Sequence, residues 1–200
     1  MRPNITGVIL SGGEGRRMGG VDKGLELLDG RPLVHLVLER LRPQVGRVVI
    51  SANRNLERYR EFGCAILADR MPGYCGPLAG LQAAMFQADT PLLLAAPCDS
   101  PRLPTDLAAR LEEALEAAHA DLAVPLAGDR VHRAFCLARR ELLPRLDAFL
   151  ISGGRKLGLW YESLQVVEVD FEDQAAAFAN LNSMDDLGCM ATGMRAIGTA

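Results

Sequence analysis

The residues of this chain most able to do chemistry lie in one run near its start: Leu10-Ser11-Gly12-Gly13-Glu14-Gly15-Arg16-Arg17-Met18-Gly19-Gly20-Val21-Asp22-Lys23. Glycines let backbone N–H groups approach an anion, and Arg17 and Lys23 add positive charge. Together they point to a phosphate site rather than a solvated turn. The dinucleotide fingerprint G-x-G-x-x-G fails, because the sixth position counted from Gly13 is Met18. The Walker A form fails too, because Gly24, not Ser or Thr, follows Lys23. There is no G-x-S-x-G elbow for a serine hydrolase. His35, His119 and His132 lie far apart and lack metal-ligand spacing.

Two carboxylates, Asp69 and Asp99, each end a short apolar run. Asp99 lies between Pro97 and Pro101, a setting common for a turn residue or helix cap. Its neighbour Cys98 reads as a buried small hydrophobe rather than a nucleophile. A second basic cluster, Gly153-Gly154-Arg155-Lys156, could cradle a phosphate or be a solvated turn. Asn180 and Asn182 carry amides that both donate and accept.

The elements that must position these residues alternate along the first half. Ile5–Leu10, Arg47–Ala52, Cys64–Ala68 and Leu92–Ala96 read as strands. Between and after them, Pro32–Leu41, Asn55–Phe62, Pro77–Gln87 and Thr105–Ala118 read as helices. Then the rhythm changes. Leu122–Leu126 and Val131–Ala138 are strand-like runs around Gly128-Asp129, which predicts a hairpin and an antiparallel strand. A helix over Arg140–Leu150, another opened by Ser152-Gly153-Gly154 and running through Leu164, a strand over Gln165–Asp170 and a helix near Ser183 complete the reading. The expected fold is a three-layer α/β/α, Rossmann-like sandwich with a mostly parallel sheet. In such sheets ligands bind outside the carboxyl ends of the strands, where the glycine loop, Asp69 and Asp99 collect.

The 200 residues, with no linker, repeat or low-complexity segment, read as one domain. A net charge of −3 argues against a nucleic-acid or anionic-membrane partner, and no apolar run is long enough to span a bilayer. The five cysteines are scattered, odd in number and without a CxxC pair. They argue against a disulfide framework or zinc site and for a cytoplasmic location.

Leu10-Ser11-Gly12-Gly13, Arg17-Met18-Gly19-Gly20 and Asp22-Lys23-Gly24 resemble the signature of the molybdenum cofactor guanylyltransferases. The resemblance continues through Ser51-Ala52-Asn53-Arg54, Asp69, Gly76-Pro77-Leu78-Ala79-Gly80, Pro97-Cys98-Asp99-Ser100-Pro101 and Asn180-Leu181-Asn182-Ser183, in order along nearly the whole chain. Ser11 departs from the common alanine, and Ser51 from an asparagine of some members, with Asn53 nearby. The resemblance implies the nucleotide-diphospho-sugar transferase fold and transfer of GMP from GTP to the terminal phosphate of molybdenum-molybdopterin, with Mg²⁺. It implies that Asp99 holds the metal and that Lys23 and Arg17 neutralise the leaving pyrophosphate. GTP would meet Leu10, Ser11, Gly12, Gly13, Lys23, Ser51, Asn53, Asp69 and Asp99. Molybdopterin would meet Gly80, Arg155, Asn180 and Asn182. Proteins that deliver the pterin or receive the product are further expected partners. The alternatives are a sister enzyme using CTP on the same pterin or a nucleotide on a sugar phosphate, and a non-catalytic nucleotide-binding protein.

Overall fold

The computed structural model describes residues 1–11, 21–71 and 76–178. Ten strands are present among them: β1 (Arg2–Leu10), β2 (Leu27–Leu28), β3 (Arg31–Pro32), β4 (Val45–Ser51), β5 (Ala65–Leu67), β6 (Leu92–Pro97), β7 (Leu122–Ala127), β8 (Arg130–Val131), β9 (Cys136–Arg139) and β10 (Val166–Asp170). The α-helices are α1 (Leu33–Leu41), α2 (Leu56–Arg60), α3 (Pro77–Gln87), α4 (Leu107–Ala117), α5 (Leu143–Ile151) and α6 (Leu157–Tyr161).

Eight strands form one sheet with the order β10-β7-β9-β6-β1-β4-β5, β8 pairing with β7. β1 runs parallel to both β4 and β6, β4 parallel to β5, and β7 parallel to β10. β9 lies antiparallel between β6 and β7, and β8 is antiparallel to β7. Alternating side chains of β1 serve opposite faces. Ile5 and Ile9 pack with Val34, Val37 and Leu41 of α1 and Leu107, Leu111 and Leu115 of α4. Val8 packs with Leu81 and Met85 of α3, Leu146 and Leu150 of α5 and Trp160 of α6. The result is the α/β/α sandwich expected from the strand–helix alternation, with helices on both faces because parallel strands bury both.

Several boundaries move. Pro32 closes β3 and precedes α1, rather than sitting in the helix. A two-residue hairpin, unforeseen in the sequence, joins β2 to β3 through Asp29 and Gly30, both at positive φ as this turn requires. The Gly128-Asp129 hairpin is present, but its second strand is only β8. The single run expected over Val131–Ala138 breaks where Phe135 N–H donates to the His132 carbonyl at 2.9 Å, and the chain re-enters the sheet as β9. Ser152-Gly153-Gly154 closes α5 instead of opening the next helix. Gly153 has φ +91° and Gly154 N–H donates back to the Phe149 carbonyl at 2.9 Å. The next helix, α6, starts at Leu157 and stops at Tyr161, short of Leu164. The helix expected near Ser183 lies outside the described residues. Among those described, no helix is long and apolar enough to cross a membrane.

Candidate nucleotide-binding site

Strand register builds the site. Leu10 pairs with Ser51 on one side and Pro97 on the other, and Ser51 pairs with Leu67, so four strand ends stand level. The ladder continues past them. Ser11 N–H donates to the Ser51 carbonyl at 2.8 Å, Ala52 N–H to the Leu67 carbonyl at 2.9 Å, and Cys98 N–H to the Leu10 carbonyl at 3.2 Å. These bonds fix the first residues beyond the sheet, so Asp69 and Asp99 emerge at one rim.

A cavity of about 290 Å³ opens at that rim. Of the expected residues, Leu10, Ser11, Lys23, Ser51, Asp69, Gly80 and Asp99 line it. Asn53 does not. It donates from Nδ2 to Asp69 Oδ2 at 2.8 Å and accepts from the Asp69 N–H at 2.8 Å, so it holds Asp69 from behind. Burial raises the Asp69 carboxyl above its usual range, and the Asn53 amide opposes this. Lys23 Nζ donates to Asp99 Oδ2 at 3.2 Å. Mg²⁺ is usually held by one or two carboxylates together with substrate phosphates and water. Asp99, mostly buried and facing the cavity beside a lysine, fits that pattern. Among the described residues no group of three or more His, Cys, Asp or Glu could form an all-protein cage. Burial pushes the Cys98 thiol up to about 12, as expected of a packing residue rather than a nucleophile.

The second half contributes differently from expectation. Ala134, in the turn between β8 and β9, lines the cavity although nothing in its type signals a site. Arg155 does not line it. Its guanidinium donates to the carbonyls of Leu150 at 2.7 Å and Gly154 at 2.6 Å, capping α5. Gly80 packs closely on Ser51 and Leu10, so it lines the same cavity as residues expected to meet the nucleotide. Gly12, Gly13, Arg17, Asn180 and Asn182 lie outside the described residues.

Sequence reading also missed the support under Lys23. Asp22 is buried and accepts bonds from Tyr59 Oη at 2.6 Å and Asn55 Nδ2 at 2.8 Å. Its place beside Lys23 was visible, but its partners lie more than 30 positions away.

Comparison with known proteins agrees with this geometry. A family model described as the MobA-like NTP transferase domain matches residues 7–166. A molybdenum cofactor guanylyltransferase of Cupriavidus necator is 50% identical over 191 residues, covering 93% of this chain and 96% of the relative. One from Ralstonia nicotianae is 49% identical, covering 92% and 94%. The crystal structure of molybdopterin-guanine dinucleotide biosynthesis protein A from Archaeoglobus fulgidus superposes with TM-score 0.78 at 25% identity, covering 96% of this chain and 99% of that one. The fold alone is shared with a 2-C-methyl-D-erythritol 4-phosphate cytidylyltransferase of Thermus thermophilus, at TM-score 0.70 and 18% identity over 94% and 98% of the chains. The chain belongs to the molybdenum cofactor guanylyltransferase family and is a nucleotidyltransferase.

Proposed function

We propose that this enzyme transfers GMP from GTP to the terminal phosphate of molybdenum-molybdopterin, in the cytoplasm, with Mg²⁺ held by Asp99. The observation that carries this reading is the convergence of Lys23, Asp99 and Asp69 on one cavity at the carboxyl edge of the sheet. An oxygen of the acceptor phosphate attacks the α-phosphorus of GTP. The bond to the β-phosphate breaks, and its electron pair leaves with pyrophosphate. No covalent enzyme intermediate is needed, so positioning and charge neutralisation carry the catalysis. Mg²⁺ at Asp99 supplies neutralisation of phosphate oxygens when bound. Lys23, beside Asp99, donates to phosphate oxygens, and Asp69, clasped by Asn53, offers carboxylate oxygens to N–H groups of the base.

The test is pyrophosphate release from GTP, CTP, ATP and UTP, each with molybdopterin and Mg²⁺. GTP should be preferred. Asp99→Asn should fold normally and lose turnover by about 100-fold or more, on the scale of a lost electrostatic contact to the transition state. Near-normal turnover in Asp99→Asn would reduce Asp99 to a structural residue. A preference for CTP would move the chain to the sister reaction.

A further inference from the structure

The segment carrying Lys23 is held from the side away from the cavity by a polar cluster that the chemistry above does not use. Asp22, 9% exposed, receives the Tyr59 hydroxyl on Oδ1 and the Asn55 amide on Oδ2. Arg54 Nε lies 3.6 Å from the same Oδ2, and Arg54 Nη2 donates to the Val21 carbonyl at 2.7 Å. All three donors come from α2 and the turn between β5's neighbour β4 and α2.

Two details show that this clamp has priority locally. Asn55 stands at the residue preceding α2, in the left-handed region with φ +51°, yet gives that helix no side-chain cap bond. Its amide is committed to Asp22 instead. Tyr59 is fully buried, and its hydroxyl occupies the space beside Gly24. A Cβ at Gly24 would come nearer to Tyr59 Oη than real side chains allow. The chain is thus held at the carbonyl of Val21 and the carboxylate of Asp22, with no room for a side chain at Gly24. Lys23 projects from between these points to Asp99. A lysine is a point charge on a flexible stem, so the accuracy with which it meets a phosphate depends on its anchorage.

We propose that Asp22 is a positioning residue: held by Tyr59, Asn55 and Arg54, it fixes the backbone from which Lys23 reaches the nucleotide phosphates. This rests on the reading of Lys23 given above. Catalysis by positioning is steep, a displacement of about 1 Å costing about 100-fold. Tyr59→Phe deletes one bond to Asp22 and keeps the ring in the core. Asn55→Gly deletes the other and suits the left-handed backbone.

The experiment is a double-variant cycle with Lys23→Ala, reading kcat, KM for GTP and thermal unfolding for each protein. Tyr59→Phe and Asn55→Gly should each lower kcat/KM for GTP by about 10-fold in the parent, a fraction of that positional sensitivity. In the Lys23→Ala background each should change it by less than about twofold, because residues acting through one another are not additive. The KM for molybdopterin should stay near the parent value. If Tyr59→Phe does not fold, Asn55→Gly carries the test on its own. Equal losses with and without Lys23 would overturn the proposal and leave the cluster as a packing device. Parent-like rates in both single variants, with Lys23→Ala impaired, would overturn it while sparing the role of Lys23. Parent-like rates in Lys23→Ala itself would overturn both.

Discussion

Gly80 lies in the first half of α3, where the helix meets the sheet edge beneath the cavity. A Cβ built there would fall 2.9 Å from Leu10 Cδ2 and 3.0 Å from Ser51 Cβ, and closer still to Ser51 Oγ. Ser51 is 1% exposed and belongs to a strand bonded on both sides, so it has nowhere to retreat. Gly80→Ala therefore sets two effects against each other. Alanine in a helix interior is favoured over glycine by about 0.5–1 kcal/mol. Forcing an extra carbon into a packed interior costs about 1–3 kcal/mol. The clash should win, leaving Gly80→Ala about 1–2 kcal/mol less stable than the parent. For a chain of this length, that lowers Tm by about 2–8 °C. Leu10 and Ser51 both line the cavity, so KM for GTP should rise as well. Ser51→Ala removes the closest clashing atom and should recover part of both losses when combined with Gly80→Ala. Thermal unfolding and GTP titration of the parent, the two single variants and the double variant decide the matter. A Gly80→Ala protein as stable as the parent or more so, as helix propensity alone would give, would refute the packing argument.

Asp69 makes a pH prediction. Its carboxyl is raised by burial and so stays protonated to higher pH than an ordinary aspartate near about 3.9. If the ionised form meets the base, GTP affinity should fall as pH drops through that raised value. Asp69→Asn should abolish this acid limb, and its survival in that variant would remove Asp69 from the role. The thiols make another. Burial lifts Cys98 to about 12 and Cys136 to about 11, so thiolate is scarce at both sites near neutral pH. Iodoacetamide at about pH 8, followed by peptide mass mapping, should leave both unmodified in the folded enzyme and alkylate them after unfolding. Rapid native alkylation of Cys98 would show that its place in the cavity wall is open to reagents.

The gathering of Ser11, Asp69 and Asp99 at one rim was legible because parallel strands stop level. Once the apolar runs ending before Ser11, Asp69 and Asp99 are read as neighbouring parallel strands, their ends must share a rim. What stayed hidden depends on partners distant in sequence. Nothing local distinguishes Ser51, which faces the cavity, from Asn53, which grips Asp69. Ser152-Gly153-Gly154 suits a helix end as well as a helix start, and Arg155 is drawn to the carbonyls that the first choice exposes. The Asp29-Gly30 hairpin has the turn residues but only two-residue strands, too short for an alternating pattern. Asp22 looked like part of a loop signature, and only the folded chain brings Tyr59 and Asn55 to it.

The antiparallel placement of β9 has a consequence for how the chain is made. Once Pro97 has emerged from the ribosome, the strands β1, β4, β5 and β6 are all available, and they can pair with one another without any later residue. The outer edge of β6 cannot, because Leu92–Ala95 finds its partners only in Cys136–Arg139. For about forty residues of synthesis, an apolar strand that the finished enzyme buries from Leu92 to Ala96 therefore presents an unpaired edge. Such edges are templates for pairing with another chain. A chain cut between α4 and β9 keeps most of the residues that line the cavity but never covers that edge, so its hazard is aggregation rather than loss of those residues.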